Sequence, residues 1–98
     1  MKKTLAPRRL SPEARKWYSA IVSEYAIEDR AGLLLLHQAA EAFDRLREAQ
    51  AIIARDGLLV QDRFKQKKSH PLLLVERDSR LQLIKCLRML NLDLEIGK

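Results

Sequence analysis

The feature that most constrains the fold is a long amphipathic segment bounded by Asp29 and Gly57. Aspartate is favoured as a helix N-cap and glycine as a helix stop, so one helix is predicted from Asp29 to Asp56. Apolar and small residues recur along it at spacings of three and four, in two adjacent rows. The first row contains Leu36, Ala39, Phe43, Leu46, Gln50 and Ile53, and the second contains Leu35, Ala42, Ala49 and Ile52.

Two apolar rows predict that this second helix is covered on two sides, because a helix with one neighbour needs only one stripe. Small residues along both rows allow close approach of neighbouring backbones. We expect one side to contact the chain's own helices and the other to contact a second subunit. The predicted oligomer interface on this helix is Leu35, Ala42, Ala49 and Ile52.

A first helix is predicted to begin at Ser11, with Pro12 at its first position and Glu13 at the positive end of the helix dipole. Its apolar residues form one stripe: Ala14, Trp17, Tyr18, Ile21, Val22 and Tyr25. Aromatic side chains can also provide a stacking platform for bases. The helical phase favours core packing instead.

A short hairpin is predicted over residues 58–68, "LLVQDRFKQKK". The apolar run 58–60 forms one strand, "QDR" forms the turn, and residues 64–68 form the second strand. Basic side chains would lie along its exposed edge. Such lysines also discourage unwanted strand pairing, which is an alternative reason for their presence.

The third helix is predicted in residues 70–94, "HPLLLVERDSRLQLIKCLRMLNLDL", with Pro71 at its first position. One row contains Leu72, Val75, Ser79, Leu83, Cys86 and Leu90, and Leu81 and Ile84 widen the apolar face. The charged group in this helix can pair internally or reach a neighbouring chain. We therefore add four residues to the predicted oligomer interface: Glu76, Arg77, Asp78 and Arg80.

Together these elements predict a mainly α fold of three helices. Helices 2 and 3 form a long antiparallel hairpin with the β-hairpin between them. Residues 1–98 form one domain, in which 1–10 are a flexible basic arm, 11–93 a helical oligomerisation core and 94–98 a short tail. A 98-residue chain buries only a limited share of its surface, so a partner subunit would stabilise it.

Positive charge is concentrated in two segments of the chain. The net charge of +6 divides into +5 for residues 1–20, −3 for 21–56, +3 for 57–71 and +1 for 72–98. Basic clusters attract polyanions or an acidic surface on a neighbouring copy, although a solvated basic surface gives the same pattern. The predicted DNA-binding residues are Lys2, Lys3, Arg8, Arg9, Arg15, Lys16, Arg63, Lys65, Lys67 and Lys68.

No catalytic or cofactor motif can be written for this sequence, so a non-enzymatic protein without cofactor or metal is expected. His37, His70 and Cys86 have no metal-ligand spacing, and three glycines do not form a phosphate-binding loop. The longest aliphatic run, residues 33–36, is far too short to span a membrane. A single cysteine and the lack of an export signal predict a cytoplasmic protein.

Several motifs in a fixed order resemble the small subunit of tailed-phage terminases. They are Arg15, Lys16 and Trp17 in the first helix, a long alanine-rich second helix ending in glycine, a basic hairpin, and "HP" at His70 and Pro71. "ERDSR" at residues 76–80 and "LNLD" at residues 90–93 complete the set, which spans about Ser11 to Asp93. Many members have "LGL" near the end where this chain has "LNL". They then continue into a further tail, whereas five residues follow Asp93 in this sequence.

The resemblance implies a non-catalytic subunit that assembles into a ring, holds phage DNA and regulates the large subunit that carries the ATPase and nuclease. A ring of roughly eight or more chains also fits the two-sided second helix. Double-stranded DNA would be held through phosphates with little sequence preference, because the chain has no clear helix-turn-helix. Two alternatives stay open: a small dimeric helical regulator, such as a repressor or antitoxin, and an adaptor that binds only protein.

Overall fold

A computed structural model of the chain describes residues 9–92. The elements are, in chain order, α1 (Pro12–Tyr25), α2 (Arg30–Asp56), β1 (Leu59–Gln61), β2 (Lys67–Ser69) and α3 (Leu72–Leu90). The predicted mainly helical fold, with a small antiparallel sheet between the second and third helices, is confirmed. The predicted DNA-binding residues Lys2, Lys3 and Arg8, and the predicted tail, lie outside the described residues.

The N-cap of α1 also ties this helix to α2. The Ser11 hydroxyl accepts a hydrogen bond from the Ala14 N–H at 3.1 Å, as predicted for a cap. The same hydroxyl and the Ser11 N–H donate to the two carboxylate oxygens of Asp44 on α2, the latter bond being 2.8 Å. One turn later, Arg47 forms an exposed ion pair with Glu13 at 3.1 Å. These contacts fix the start of α1 beside the middle of α2.

The core between α1 and α2 is built on the predicted aromatic stripe. Tyr18 is buried, and the rings of Trp17 and Phe43 stack with centroids 5.3 Å apart and planes within 8°. Leu36 is fully buried at the centre, where truncation to alanine typically costs about 2 to 5 kcal/mol. Leu10, which we placed in the N-terminal arm, is buried in the same cluster, so the packed region begins earlier than predicted.

The other apolar side of α2 packs against α3 of the same chain. Ala42 and Ala49 are almost completely buried, and Leu72 and Val75 of α3 lie across a narrow groove from Ala49 and Ile52. Leu90, at the far end of α3, packs against the core near Leu36, so the two helices are antiparallel. Small side chains on α2, with the buried Ser79 and Cys86 on α3, allow this close packing.

The second apolar row of α2 is buried or half-buried within the chain, whereas we predicted that it contacts another subunit. We expected Leu35, Ala42, Ala49 and Ile52 to face another subunit. Instead, the chain's own α3 covers Ala42 and Ala49, and Leu35 and Ile52 are half-buried. Two apolar rows call for two covering neighbours, and α1 and α3 of one chain supply both.

The base of the β-hairpin is anchored between α2 and α3. Gly57 ends α2 with a positive φ of 86°, a conformation that favours glycine. The buried His70 ring contacts the Asp56 carboxylate through Nε2 at 3.0 Å, and Nδ1 accepts the Leu72 N–H at 3.1 Å. Because Nδ1 accepts this bond, Nε2 is the nitrogen that donates a hydrogen bond to the Asp56 carboxylate.

The start of α3 differs by one residue from the prediction. We placed Pro71 at the first helical position, but the helix begins at Leu72 and Pro71 occupies the N-cap. Proline has no side-chain oxygen with which to cap, and the neighbouring His70 ring satisfies the Leu72 N–H instead. The helix ends at Leu90 and is followed by Asn91, whose left-handed conformation matches a common helix stop.

Acid should weaken the hairpin base through Asp56. Hydrogen bonds from Arg55 and His70 lower the pKa of the Asp56 carboxyl from 3.8 to about 2. A carboxyl whose pKa is lowered in the folded state stabilises the fold above its unfolded pKa and loses that contribution as pH falls through the folded value. We expect the free energy of unfolding of the wild type to fall towards that of Asp56→Asn between about pH 4 and pH 2.

Urea unfolding followed by circular dichroism, at constant ionic strength across this range, measures the difference between the two chains. A difference that stays unchanged from pH 5 down to pH 2 would contradict the assignment.

Candidate nucleic-acid interface

The β-hairpin has its turn slightly later than predicted. Leu59 pairs with Ser69, Val60 with Lys68 and Gln61 with Lys67. The turn is therefore Asp62–Gln66, whereas we placed the turn at 61–63 and the second strand at 64–68. The physical reason is the Asp62 carboxylate, which accepts the N–H groups of Phe64 at 2.8 Å and Gln66 at 3.0 Å. Aspartate commonly forms turns through such side-chain bonds.

Backbone hydrogen bonds close the same turn. The Lys65 N–H donates to the Asp62 carbonyl and the Asp62 N–H donates to the Gln66 carbonyl, both at 3.0 Å. Lys65 adopts a left-handed backbone with φ 61°, which is uncommon for a residue other than glycine. Asp62 thus takes part in four hydrogen bonds that define the conformation of the loop: it accepts three and donates one.

The hairpin presents a group of exposed side chains that we name the tip cluster: Arg63, Phe64, Lys65, Lys67 and Lys68. Four of its five members are cationic. Residues 57–71 contain one carboxylate, that of Asp62, and it accepts hydrogen bonds from backbone N–H groups of the turn. The Arg63 guanidinium lies over the Phe64 ring, 5.4 Å from its centroid, a cation–π distance. The tip cluster therefore combines four exposed cations with one exposed aromatic ring.

The other predicted DNA-binding residues lie elsewhere. Arg9, Arg15 and Lys16 are exposed at and near the start of α1, which is fixed beside Asp44. Asp56 at the hairpin base lies twelve positions after Asp44 in α2, which corresponds to about 18 Å at the rise of an α-helix. Among residues 9–92, the predicted DNA-binding residues therefore fall into two separate groups, and the hairpin carries four of them within six consecutive positions.

The predicted interface charges on α3 pair within the helix; Arg77, Asp78 and Arg80 are exposed and Glu76 is partly buried. Arg80 lies 3.6 Å from Glu76, one turn away, and Arg77 lies 3.3 Å from Asp78. Beside them is a set of exposed apolar side chains that we name the outer face of α3: Leu74, Leu81, Ile84 and Met89. We noted Leu81 and Ile84 as a widening of the apolar face but assigned them no partner. The sequence signal for this exposed face is the width of the apolar arc of α3, which is too broad for a single neighbouring helix to cover.

Polar side chains in a depression beside α1 are engaged with one another. This depression of about 530 Å³ lies at the start of α1, where Ser11 is hydrogen-bonded to Asp44 and Glu13 is ion-paired with Arg47. Within residues 9–92, no group of three or more histidine, cysteine or acidic side chains could hold a metal ion. His37 lies 3.8 Å from Glu41 on the same helix, and His70 belongs to the hairpin base.

Comparisons with protein-family models, curated proteins and solved structures find no match to this chain. Within residues 9–92, no helix combines the length and apolar character needed to cross a membrane. Interpretation of the site therefore depends on its own geometry and charge.

Proposed function

We propose that this chain is a non-catalytic DNA-packaging subunit of the terminase small-subunit type, which assembles into a ring and holds double-stranded DNA. The observation that supports it best is the tip cluster, in which Arg63 and Lys65 in the turn and Lys67 and Lys68 in β2 are exposed, while the Asp62 carboxylate accepts hydrogen bonds within the turn. Such a group of exposed cations suits a repeating polyanion better than a small ligand, because its side chains are open to solvent and do not line the depression beside α1.

DNA binding through the tip cluster would depend on phosphate contacts. Each lysine that neutralises a phosphate releases condensed counterions, so affinity falls steeply with salt. A single hairpin offers few contacts, and repetition of the hairpin around an assembly would multiply their effect. Phosphate contacts position a protein on the duplex without reading its sequence, so we expect little sequence preference.

Assembly would use the outer face of α3. Leu74, Leu81 and Met89 are each more than half exposed, on a helix whose opposite side is already packed on α2. Burying one leucine side chain contributes roughly 1.5 to 3 kcal/mol, and a ring repeats that gain at every interface. Exposed Arg77 and Asp78 lie on the same side of the helix and would add polar contacts to the interface.

In this proposal the assembled ring, of roughly eight or more chains, works in the host cytoplasm and regulates a large subunit that performs ATP hydrolysis and DNA cleavage. A protein-only adaptor would use the outer face of α3 and leave DNA unbound. A dimeric repressor or antitoxin would bind a two-fold operator with strong sequence preference. Both alternatives differ from the proposal in measurable ways.

Neutralising the tip cluster should reduce both the affinity for DNA and its dependence on salt. In the triple variant Lys65→Gln, Lys67→Gln and Lys68→Gln, the slope of log K against log salt should fall by about 0.9 for each phosphate that is no longer neutralised, up to about 2.7 per engaged chain. Fluorescence anisotropy with a random-sequence duplex at several salt concentrations measures both the affinity and this slope.

The matched control is Arg30→Gln, which removes an exposed cation at the opposite end of α2 from the hairpin. Equal binding by wild type and the triple variant, with unchanged fold and mass, would favour the adaptor. Strong preference for one sequence over random duplex at equal salt would favour the regulator.

A charge on the outer face of α3 should break the assembly. We expect the wild type to elute as one closed assembly by light scattering on a sizing column, and Leu81→Glu to dissociate into smaller species. The reason is that a carboxylate buried at the interface loses its hydration, and this cost can exceed the Coulombic gain from a neighbouring cation such as Arg77 or Lys85.

Leu34→Glu on α2 is the control, since Leu34 is 60% exposed and Leu81 58% exposed. A wild-type chain that stays monomeric at high concentration would contradict assembly altogether, and equal effects of the two variants would contradict the choice of α3.

A further inference from the structure

The tip of the hairpin presents its aromatic side chain in an unusual place. Phe64 is 71% exposed, more than any other large apolar side chain among residues 9–92. A phenylalanine so placed gains nothing from burial within the chain, and neither strand of the hairpin packs over it. The ring therefore contributes little to the described fold and is available to a partner.

The Phe64 backbone is held in position. Its N–H donates to the Asp62 carboxylate at 2.8 Å, and the next residue, Lys65, is fixed in the left-handed conformation by its bond to the Asp62 carbonyl. Arg63 supports the ring through its guanidinium. A side chain on a fixed loop loses less conformational entropy on binding than one on a mobile loop, which favours a contact of defined geometry.

The surroundings of Phe64 select the class of partner. Lys65, Lys67 and Lys68 lie within roughly 10 Å of the tip along the ribbon, at the rise of a β-strand. Duplex DNA offers the matching pattern, because its stacked bases are flanked on both sides by phosphates. Proteins that bend DNA commonly insert an apolar wedge, phenylalanine included, between base pairs while nearby cations hold the backbone.

We infer that Phe64 inserts partway between adjacent base pairs of the DNA held by the tip cluster, and so unstacks and kinks the duplex. The inference rests on the proposed DNA-binding function and specifies how the hairpin engages the duplex. Insertion is cheapest at flexible steps such as TpA, so any sequence bias comes from deformability and not from base-edge hydrogen bonds.

The test uses a duplex of about 30 base pairs with 2-aminopurine at a central TpA step and a fluorophore pair on its two ends. Wild-type protein at low salt should raise 2-aminopurine fluorescence through unstacking and increase energy transfer between the ends through bending. Phe64→Ala should lose both signals and bind roughly tenfold more weakly, since base stacking on an aromatic side chain is removed. Its salt slope should match the wild type, because no charge is removed.

Two variants separate the insertion from general effects on the hairpin. Leu59→Ala truncates a side chain 59% exposed on the same hairpin but away from the tip, and should keep both signals. Phe64→Trp retains an aromatic ring and should also keep them. The lysine triple variant should change the salt slope, which Phe64→Ala leaves unchanged.

The possible results distinguish this inference from the proposed function. Salt-dependent binding by wild type without unstacking or bending, and equal affinity for Phe64→Ala, would overturn the insertion and leave DNA binding intact. A Phe64→Ala chain that binds DNA normally but has an altered native mass would also overturn it, by assigning the ring to a protein contact. If the wild type does not bind DNA at low salt, both the insertion of Phe64 and the proposed DNA-binding function are contradicted.

Discussion

The close packing of α3 on the small-residue face of α2 is the contact on which the rest of the structure depends. Alanines at 39, 42 and 49 remove the side-chain bulk that would hold the two helices apart. Facing them, Ser79 and Cys86 are the two buried residues of α3. This contact gives the chain a long antiparallel stem, and the connection between its two helices must then reverse direction at one end of that stem. The hairpin and its cations are placed there as a result.

The anchor at the hairpin base matters because the hairpin itself is weak. Strands of three residues with little burial are only marginally stable in isolation. His70 compensates by joining three parts of the fold at one residue. Its ring contacts Asp56 at the end of α2 and caps Leu72 at the start of α3, and its N–H donates to the Leu58 carbonyl at 2.8 Å. The exposed loop is thereby connected to the helical stem.

Much of this fold could be predicted from the sequence, because it depends on local signals. Ser11, Asp29 and Gly57 mark helix ends through hydrogen bonds and backbone preferences that act within a few residues. What could not be predicted was which neighbour covers each apolar row, since periodicity reports that a face is buried and not what buries it. The turn was misplaced because Asp62 bonds to residues further along the loop than the polar run suggested.

The position of α1 gives the stem a mechanical asymmetry. α1 braces α2 near Asp44 and towards its N-terminal end, while the C-terminal end that carries the hairpin is covered by α3. The 27 residues of α2 span about 40 Å. A tilt of only about ten degrees about the end distant from the hairpin therefore displaces the hairpin base by roughly 7 Å, comparable to the width of a DNA minor groove. A rigid stem of this length would convert a small rotation at one end into a displacement of several ångströms of the cations at the other.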